Sequence, residues 1–599
     1  MEVFKKISYF LTPNERFRGL LLLLMILIMA FIDMLGIASI MPFIAVLANP
    51  EIIETNNFLN SAYSFINNFT ETSINRFLIY MGIIVFLILI ISLTFKALTL
   101  YFQTRFIKMC EYNIASRLIK NYLFQPYSWF LNRNSSSIGK TILSEVARLV
   151  GKGLAPIISL ITNIILSIII FTLLVLVETK LTVIVMSTMC FFYLVVYYLN
   201  KNLLKKIGYQ LFLDNGKLYK IISEAFGAFK EVKLGGLENI FISQFSKPAK
   251  NIAQKSALVE IFSAFPRFVL EAIAFGGMLL ITLYFMIQSS EIENVLPIIA
   301  LYAFAGYRLM PAIQKIFVSF TSLRIVKPAL NSLYFDLKNL RPIKLANNNS
   351  SLKINNYICL KNIYYSYPNS SRAALKNINI SIPVNQSVGL VGATGSGKTT
   401  TVDILLGLLE AQKGTLEIDG KIINDENRKA WQSSIGYVPQ QIFLSDDTIA
   451  SNIAFGIDKE DIDQKKVENA AKIANIHDFI INELPLNYKT IVGERGIRLS
   501  GGQRQRIGIA RAIYHNPKVL VFDEATSALD NLTEKLVMDA VNNSKKNITK
   551  ILIAHRLSTV KNCDKIFLFD KGELKDQGTF QELIKSSKDF SKSVNNSLS

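Results

Sequence analysis

The chain has 599 residues, of which 51% are hydrophobic, and a formal net charge of +20. So apolar a composition over this length excludes a single small soluble domain and predicts several domains, with membrane-spanning segments among them. The cationic excess admits two readings, nucleic-acid binding or Lys- and Arg-rich cytoplasmic loops, and the positions of the charges decide between them.

A basic flank (Lys5, Lys6, Arg16, Arg18) leads into an apolar segment from Leu20 to Ala48. It is too long for the apolar core of a signal peptide and predicts a first transmembrane helix. Further spans are expected from Phe77 to Phe102, Gly153 to Val177, Leu181 to Tyr198, Phe262 to Ile287 and Val295 to Phe320, each near the ~20 apolar residues that cross a bilayer. Six spans place both termini on one side. Between the first two, Leu59, Ala62, Tyr63 and Ile66 share one helical face, which predicts a short outer helix lying on the membrane surface or packed on its neighbouring spans.

The loop after the second span carries Arg105, Lys108, Arg117, Lys120, Arg133 and Lys140, and the loop after the fourth carries Lys201, Lys205, Lys206, Lys217, Lys220, Lys230 and Lys233. Glu51, Glu54, Glu71, Glu178 and Glu291 mark the opposite side. By the positive-inside rule the Lys-rich loops and both termini are cytoplasmic, and the net charge reflects topology, which leaves nucleic-acid binding without support. Both cytoplasmic connections are long and helix-compatible, so the membrane helices are expected to continue beyond the bilayer, with Tyr127 to Asn134 and Ser223 to Lys233 as candidate contacts for a driving domain.

The expected boundaries are a membrane domain over 1–322, a linker over 323–351 that is polar from Pro342 to Ser351, and a domain over 352–599 in which apolar strands alternate with helices, as in an α/β fold. Cys110, Cys190, Cys359 and Cys563 are far apart, with no paired spacing for a metal or redox site. In the second domain Gly392-Ala393-Thr394-Gly395-Ser396-Gly397-Lys398-Thr399 matches the phosphate-cradling loop between a strand and a helix, and Thr400 opens that helix. Lys398 reaches β- and γ-phosphates in such a loop, and the Thr399 hydroxyl helps hold Mg²⁺. Asp523 and Glu524 end the apolar strand Val519 to Phe522, where open α/β sheets bind ligands. Asp523 is placed to hold Mg²⁺ and Glu524 to polarise the attacking water.

These residues, with Leu499-Ser500-Gly501-Gly502-Gln503, give the domain a close resemblance to the nucleotide-binding domain of ATP-binding-cassette (ABC) transporters. The resemblance implies ATP and Mg²⁺ as ligands. It further implies that Tyr367 stacks on adenine, Gln440 senses Mg²⁺, Ser500 to Gln503 close over ATP bound by a second subunit, Asp530 lies in the dimer-contact loop, and His555 contacts the γ-phosphate. No catalytic position departs from the pattern. One phosphate loop and one signature per chain imply a homodimer, with a heterodimer as the alternative.

A membrane domain ahead of the ATPase resembles the exporter branch: a polytopic α-helical membrane domain of six transmembrane helices fused to an α/β P-loop nucleotide-binding domain. Lys96, Arg267, Arg308 and Lys315 stand inside spans where charge is costly, Arg308 deepest by its count from the outer end. Together they form a candidate cationic belt for a phosphate or pyrophosphate headgroup, the bland alternative being snorkelling, with Arg267 paired to Glu271. Asp33, in the first span, is read as a packing or gating acid with no substrate role.

Met41-Pro42-Phe43-Ile44, Phe95-Lys96-Ala97, Pro266-Arg267 and Tyr307-Arg308-Leu309-Met310-Pro311 resemble bacterial flippases for lipid-linked oligosaccharides. That resemblance implies outward flipping of a polyprenyl-pyrophosphate lipid across a bacterial inner membrane. The alternatives are an exporter of lipid A, drugs or peptides and, from another class, an ATP-gated channel or a non-transport ATPase.

Overall fold

The computed structural model describes residues 2–68, 73–287, 292–342, 352, 354–368, 370, 372–524, 531–544, 547–554, 557–588, 590–592 and 594. Glu71, Glu291 and most of the polar stretch 342–351 lie outside them. The chain divides into two compact units, Met1–Gln125 with Asn132–Ile343, and Pro126–Leu131 with Lys344–Ser599.

The first unit is helical. Helices Ile74–Leu123, Thr179–Gly227, Glu238–Ile287 and Ile292–Lys338 contain 50, 49, 50 and 47 residues. At ~1.5 Å per residue the longest run for ~75 Å, more than twice the ~30 Å hydrocarbon core of a bilayer. The expected extensions are therefore present as continuous helix.

Among the described residues, five segments are long and apolar enough to cross a membrane: Pro13–Ala48, Ile74–Leu123, Ser136–Val177, Thr179–Val196 and Pro297–Lys338. The remaining expected span, 262–287, is the end of helix Glu238–Ile287, where several side chains lie outside the described set. The first segment is interrupted at Ser39, between helices Pro13–Ala38 and Ile40–Ala48. Pro42 accounts for the break, because it brings no N–H for the carbonyl of Ala38 and its ring crowds that carbonyl.

The outer helix forms over Asn57–Asn67, started by Asn56, whose side chain accepts from the N–H groups of Phe58 and Leu59. Its face of Leu59, Ala62, Tyr63 and Ile66 packs on Val46, Ile53 and Phe77, with the Tyr63 and Phe77 rings edge-to-face at 5.2 Å. Packing on neighbouring helices thus uses the face that periodicity revealed.

Deeper in this unit Met29, Ala30 and Ile37 of the first segment, Leu166, Ile170 and Leu174 of the third, and Leu301, Ala305, Leu309 and Ala312 of the last form one apolar cluster. Gly208 marks a close helix crossing, since a Cβ there would stand 2.8 Å from the Ile325 Cα.

The second unit is built on two sheets. Strands β1 (Tyr357–Tyr365), β2 (Leu375–Pro383), β4 (Lys413–Ile418) and β5 (Lys421–Ile422) form an antiparallel sheet in the order β2-β1-β4-β5. The larger sheet joins β3 (Ser387–Gly392), β6 (Ile435–Val438), β7 (Val519–Asp523), β8 (Thr549–Ile553), β9 (Lys565–Asp570) and β10 (Glu573–Gly578) in the order β10-β9-β3-β8-β7-β6. It is parallel except for β10. Every residue of β7 and β8 is buried, as expected for inner strands covered on both faces. Ile553 pairs with both Asp523 and Leu390, so the carboxyl ends of β3, β7 and β8 fall on one edge. That edge carries the phosphate loop and the two acids.

Candidate functional site

β3 delivers the chain into the phosphate loop, and the helix Lys398–Leu405 leaves it with Gly397 as its left-handed N-cap at φ 104°. A Cβ on Gly397 would stand 2.7 Å from Leu375 Cδ2, so glycine is required both by the backbone and by the space. The Lys398 ammonium donates to the carbonyls of Gly392 at 2.7 Å and Ala393 at 3.0 Å, curling the loop around itself. Burial holds its pKa below the usual lysine value, with Glu524 and Asp523 pulling the other way. Ala393, Thr394, Gly395 and Thr399 are exposed along the rim. The buried Ser396 Oγ has no hydrogen-bond partner. An orphaned hydroxyl beside a buried ammonium, at a helix N-terminus, fits a phosphate chain that brings acceptor oxygens and negative charge.

On the same edge Glu524 sits at φ 50°, a left-handed conformation rare for a non-glycine residue, held by its N–H donating to Ile553 O at 3.1 Å. Its Oε2 accepts from Gln440 Nε2 at 2.7 Å. Asp523 is buried and accepts from the Tyr437 hydroxyl at 3.2 Å. Burial, followed by the Asp523 charge, pushes the Tyr437 phenol up. Below the loop Asp403 is pushed up to about 6 by burial, with the Asp523 carboxylate adding to it. Tyr127, in the segment Pro126–Leu131, is pushed up by burial first and by Asp403 second. Among the described residues, no group of three His, Cys, Asp or Glu side chains could hold a metal ion. The donor set of Asp523, the Thr399 hydroxyl and the Gln440 amide suits Mg²⁺, which takes few protein ligands and completes its shell with phosphate and water.

Tyr367 donates to or accepts from Thr400 Oγ1 at 3.1 Å and meets Tyr365 edge-to-face at 5.2 Å. Ser500 caps the helix Gly501–Tyr514 in a reciprocal capping box with Gln503, Ser500 N–H to Gln503 Oε1 at 2.8 Å and Gln503 N–H to Ser500 Oγ at 3.2 Å. The signature is therefore an ordered helix N-terminus with Gly501 and Gly502 in its first turn. Asp530 and His555 lie outside the described residues, as does the whole of Ser527 to Asp530.

In the helical unit Lys96, Arg308 and Lys315 line one cavity of about 490 Å³, with Gln103, Thr162 and Asn163 on its wall. Arg308 Nη2 lies 3.4 Å from Asp33 Oδ1, and Lys96 Nζ lies 3.7 Å from Asp33 Oδ2. Lys96 and Arg308, expected at different depths, thus meet at one carboxylate. Arg267 lines a neighbouring cavity of about 520 Å³, which shares Tyr307 and Pro311 with the first, and is bonded to Glu271 Oε1 at 2.8 Å. Three of the four cations thus line one cavity, and Arg267 makes the i,i+4 pair with Glu271.

The ABC transporter family profile matches residues 375–527, and the ABC transporter transmembrane region matches residues 58–312. An ATP-dependent lipid A-core flippase of Legionella pneumophila is 30% identical over 474 residues, 79% of each chain. The chain belongs to the ABC transporter family. A second lipid A-core flippase, of Saccharophagus degradans, is 35% identical over 391 residues, with the match spanning 65% of each chain. A bacterial Atm1-family ABC exporter with ATP bound superposes with a TM-score of 0.75 at 22% identity over 98% of each chain, which establishes the exporter fold.

The transporter is a half-transporter, carrying one membrane domain and one ATP-binding domain, and it is an ATP-hydrolysing ABC exporter with multiple membrane passes. Sequence reasoning missed two polar partners. Asp403 lies inside an ordinary helical run, and no spacing rule links it to Asp523. Asp33 was visible as an intramembrane acid, but its cations sit on other helices.

Proposed function

We propose that the transporter is a homodimer that flips a lipid with an anionic, pyrophosphate-linked oligosaccharide headgroup from the inner to the outer leaflet of a bacterial inner membrane, with both termini cytoplasmic. The observation that carries this reading is the cavity lined by Lys96, Arg308 and Lys315, cations at membrane-spanning positions among polar side chains. Cations in such a setting have a reason to be there, and phosphate oxygens satisfy them.

Each chain supplies one phosphate loop and one signature, so a second copy would complete two ATP sites. Within each site Lys398 and the loop N–H groups bind the β- and γ-phosphates. Glu524, fixed by Gln440, orients the attacking water and takes up its proton. Thr399, Asp523 and Gln440 would hold Mg²⁺, which when bound would supply charge neutralisation at the phosphates. Tyr367 packs against the adenine, while Asp530 and His555 are assigned to the dimer contact and the γ-phosphate.

A second reading, flipping of a lipid A-core, is favoured by the names of the two bacterial relatives. Both lipids are phosphorylated amphiphiles, so the cavity suits either. Reconstitution into proteoliposomes with a polyprenyl-pyrophosphate oligosaccharide in one arm and lipid A in the other separates them: the reading holds if the first lipid moves with ATP, and fails if only lipid A moves.

A further inference from the structure

Asp33 is 2% exposed and is the carboxylate at which three elements meet. The Ser92 hydroxyl donates to Oδ1 at 2.9 Å, Arg308 approaches the same oxygen at 3.4 Å, and Lys96 stands 3.7 Å from Oδ2, which makes no hydrogen bond. A structural ion pair built to last is short and fully hydrogen-bonded, commonly bidentate for arginine. This one is long on both cationic sides, and the only short bond comes from a neutral hydroxyl.

Arg308, Lys96 and Lys315 all open onto the same cavity, whereas Asp33 stands behind them. Three cations against one carboxylate leave a net positive lining even with Asp33 in place. Tyr307 and the amides of Gln103 and Asn163 complete the polar wall.

We infer that Asp33 is the resident counter-ion of this cavity: it holds Arg308 and Lys96 when no headgroup is there, an anionic lipid headgroup draws these cations away from it, and their return to Asp33 expels the headgroup. Asp33 is thereby a positioning residue that trades affinity for release. A long, singly bonded pair loses little when phosphate oxygens replace it, and a carboxylate anchored by Ser92 remains in place to reclaim the cations. The inference rests on the anionic-lipid reading given above and adds a mechanism for letting go.

The test uses the full chain in lipid nanodiscs, with ATPase rate titrated against farnesyl pyrophosphate, against lipid A, and against neutral farnesol as a control. Asp33→Asn is expected to lower the half-stimulating concentration of the phosphorylated lipid on the order of tenfold, and to lower the maximal rate because release slows. Arg308→Gln is expected to raise that concentration, and Asp33→Asn/Arg308→Gln to bring it back towards wild type. The double variant removes the more buried cation, Arg308, together with the carboxylate and leaves only Lys96, 40% exposed, to lose a partner, so it reports even if Asp33→Asn alone does not fold. A merely structural Asp33 would leave the half-stimulating concentration unchanged or raised, and would make the double variant no better than Arg308→Gln; either result overturns the inference while the lipid reading stands. Wild type that responds to neither phosphorylated lipid, or equally to farnesol, overturns the lipid reading and this inference with it.

Discussion

Gln440 Nε2 donates to Glu524 Oε2 at 2.7 Å, which fixes the carboxylate at the carboxyl edge of β7 in a backbone conformation that a non-glycine residue rarely adopts. Strain of this kind persists where the surroundings over-determine it, and here they do so on both the side-chain and main-chain sides of one residue. Glu524→Gln is expected to bind ATP with wild-type affinity while hydrolysis falls by ~10²–10⁴-fold. Full ATPase activity in that variant would remove Glu524 from its role. Gln440→Ala, which frees the carboxylate without removing it, is expected to lower the rate by a smaller ~10–100-fold, in line with one charge-assisted hydrogen bond.

Gly397→Ala tests the cradle. Its Cβ would meet Leu375 Cδ2 at 2.7 Å and Ala374 O at 3.0 Å, at a φ of 104°. The loop is expected to distort at a cost of about 1–3 kcal/mol, seen as a lower melting temperature together with weakened binding of a fluorescent ATP analogue. Gly395→Ala has open space around its Cβ and differs only by a φ of 77°, so its effect should be smaller.

The raised Asp403 pKa makes a prediction about pH. Burial, then the Asp523 charge, moves it from 3.8 to about 6, so between those values the folded chain holds a proton that the unfolded chain has released. The unfolded state therefore binds fewer protons, and this group's contribution to stability falls as pH rises from about 4 to above 6. Asp403→Asn keeps the shape and removes the penalty. Thermal unfolding of the full chain should show the variant more stable than wild type at pH 7.5, with the difference shrinking towards pH 4. A variant less stable at pH 7.5 would mean that the Asp403 charge is favourably held.

Arg267 and Arg308 look alike in sequence and differ in the structure. Arg267 is 57% exposed and already bonded to Glu271, whereas Arg308 is 17% exposed and faces the cationic cavity. Arg267→Gln is expected to shift the lipid concentration for half-maximal ATPase stimulation by less than ~5-fold, and Arg308→Gln by more than ~10-fold. Equal effects would return Arg267 to the headgroup site.

The nucleotide edge was legible because its chemistry is local in sequence. Glycines, Lys398 and Thr399 sit in one loop, and Asp523 and Glu524 end one apolar run, so spacing and hydrophobicity place them without tertiary knowledge. Long helices were legible for the same reason, through the extent of their apolar and Lys-rich stretches. The outer helix showed its face by periodicity, but Phe77 as its partner comes from another element. The meeting of Asp33 with Lys96 and Arg308 joins the first, second and last membrane segments, and only their packing decides which cations share a carboxylate. Asp403 was hidden by the same cause, since its shift arises from burial beside a strand far away in the chain.

Translocation in proteoliposomes tests the central claim most directly, with a fluorescent polyprenyl-pyrophosphate oligosaccharide in one preparation, lipid A in a second, and the Glu524→Gln protein as a control in each. The account predicts ATP-dependent outward movement of the oligosaccharide lipid, slowed by Arg308→Gln and abolished by Glu524→Gln. ATP hydrolysis without movement of that lipid would contradict it.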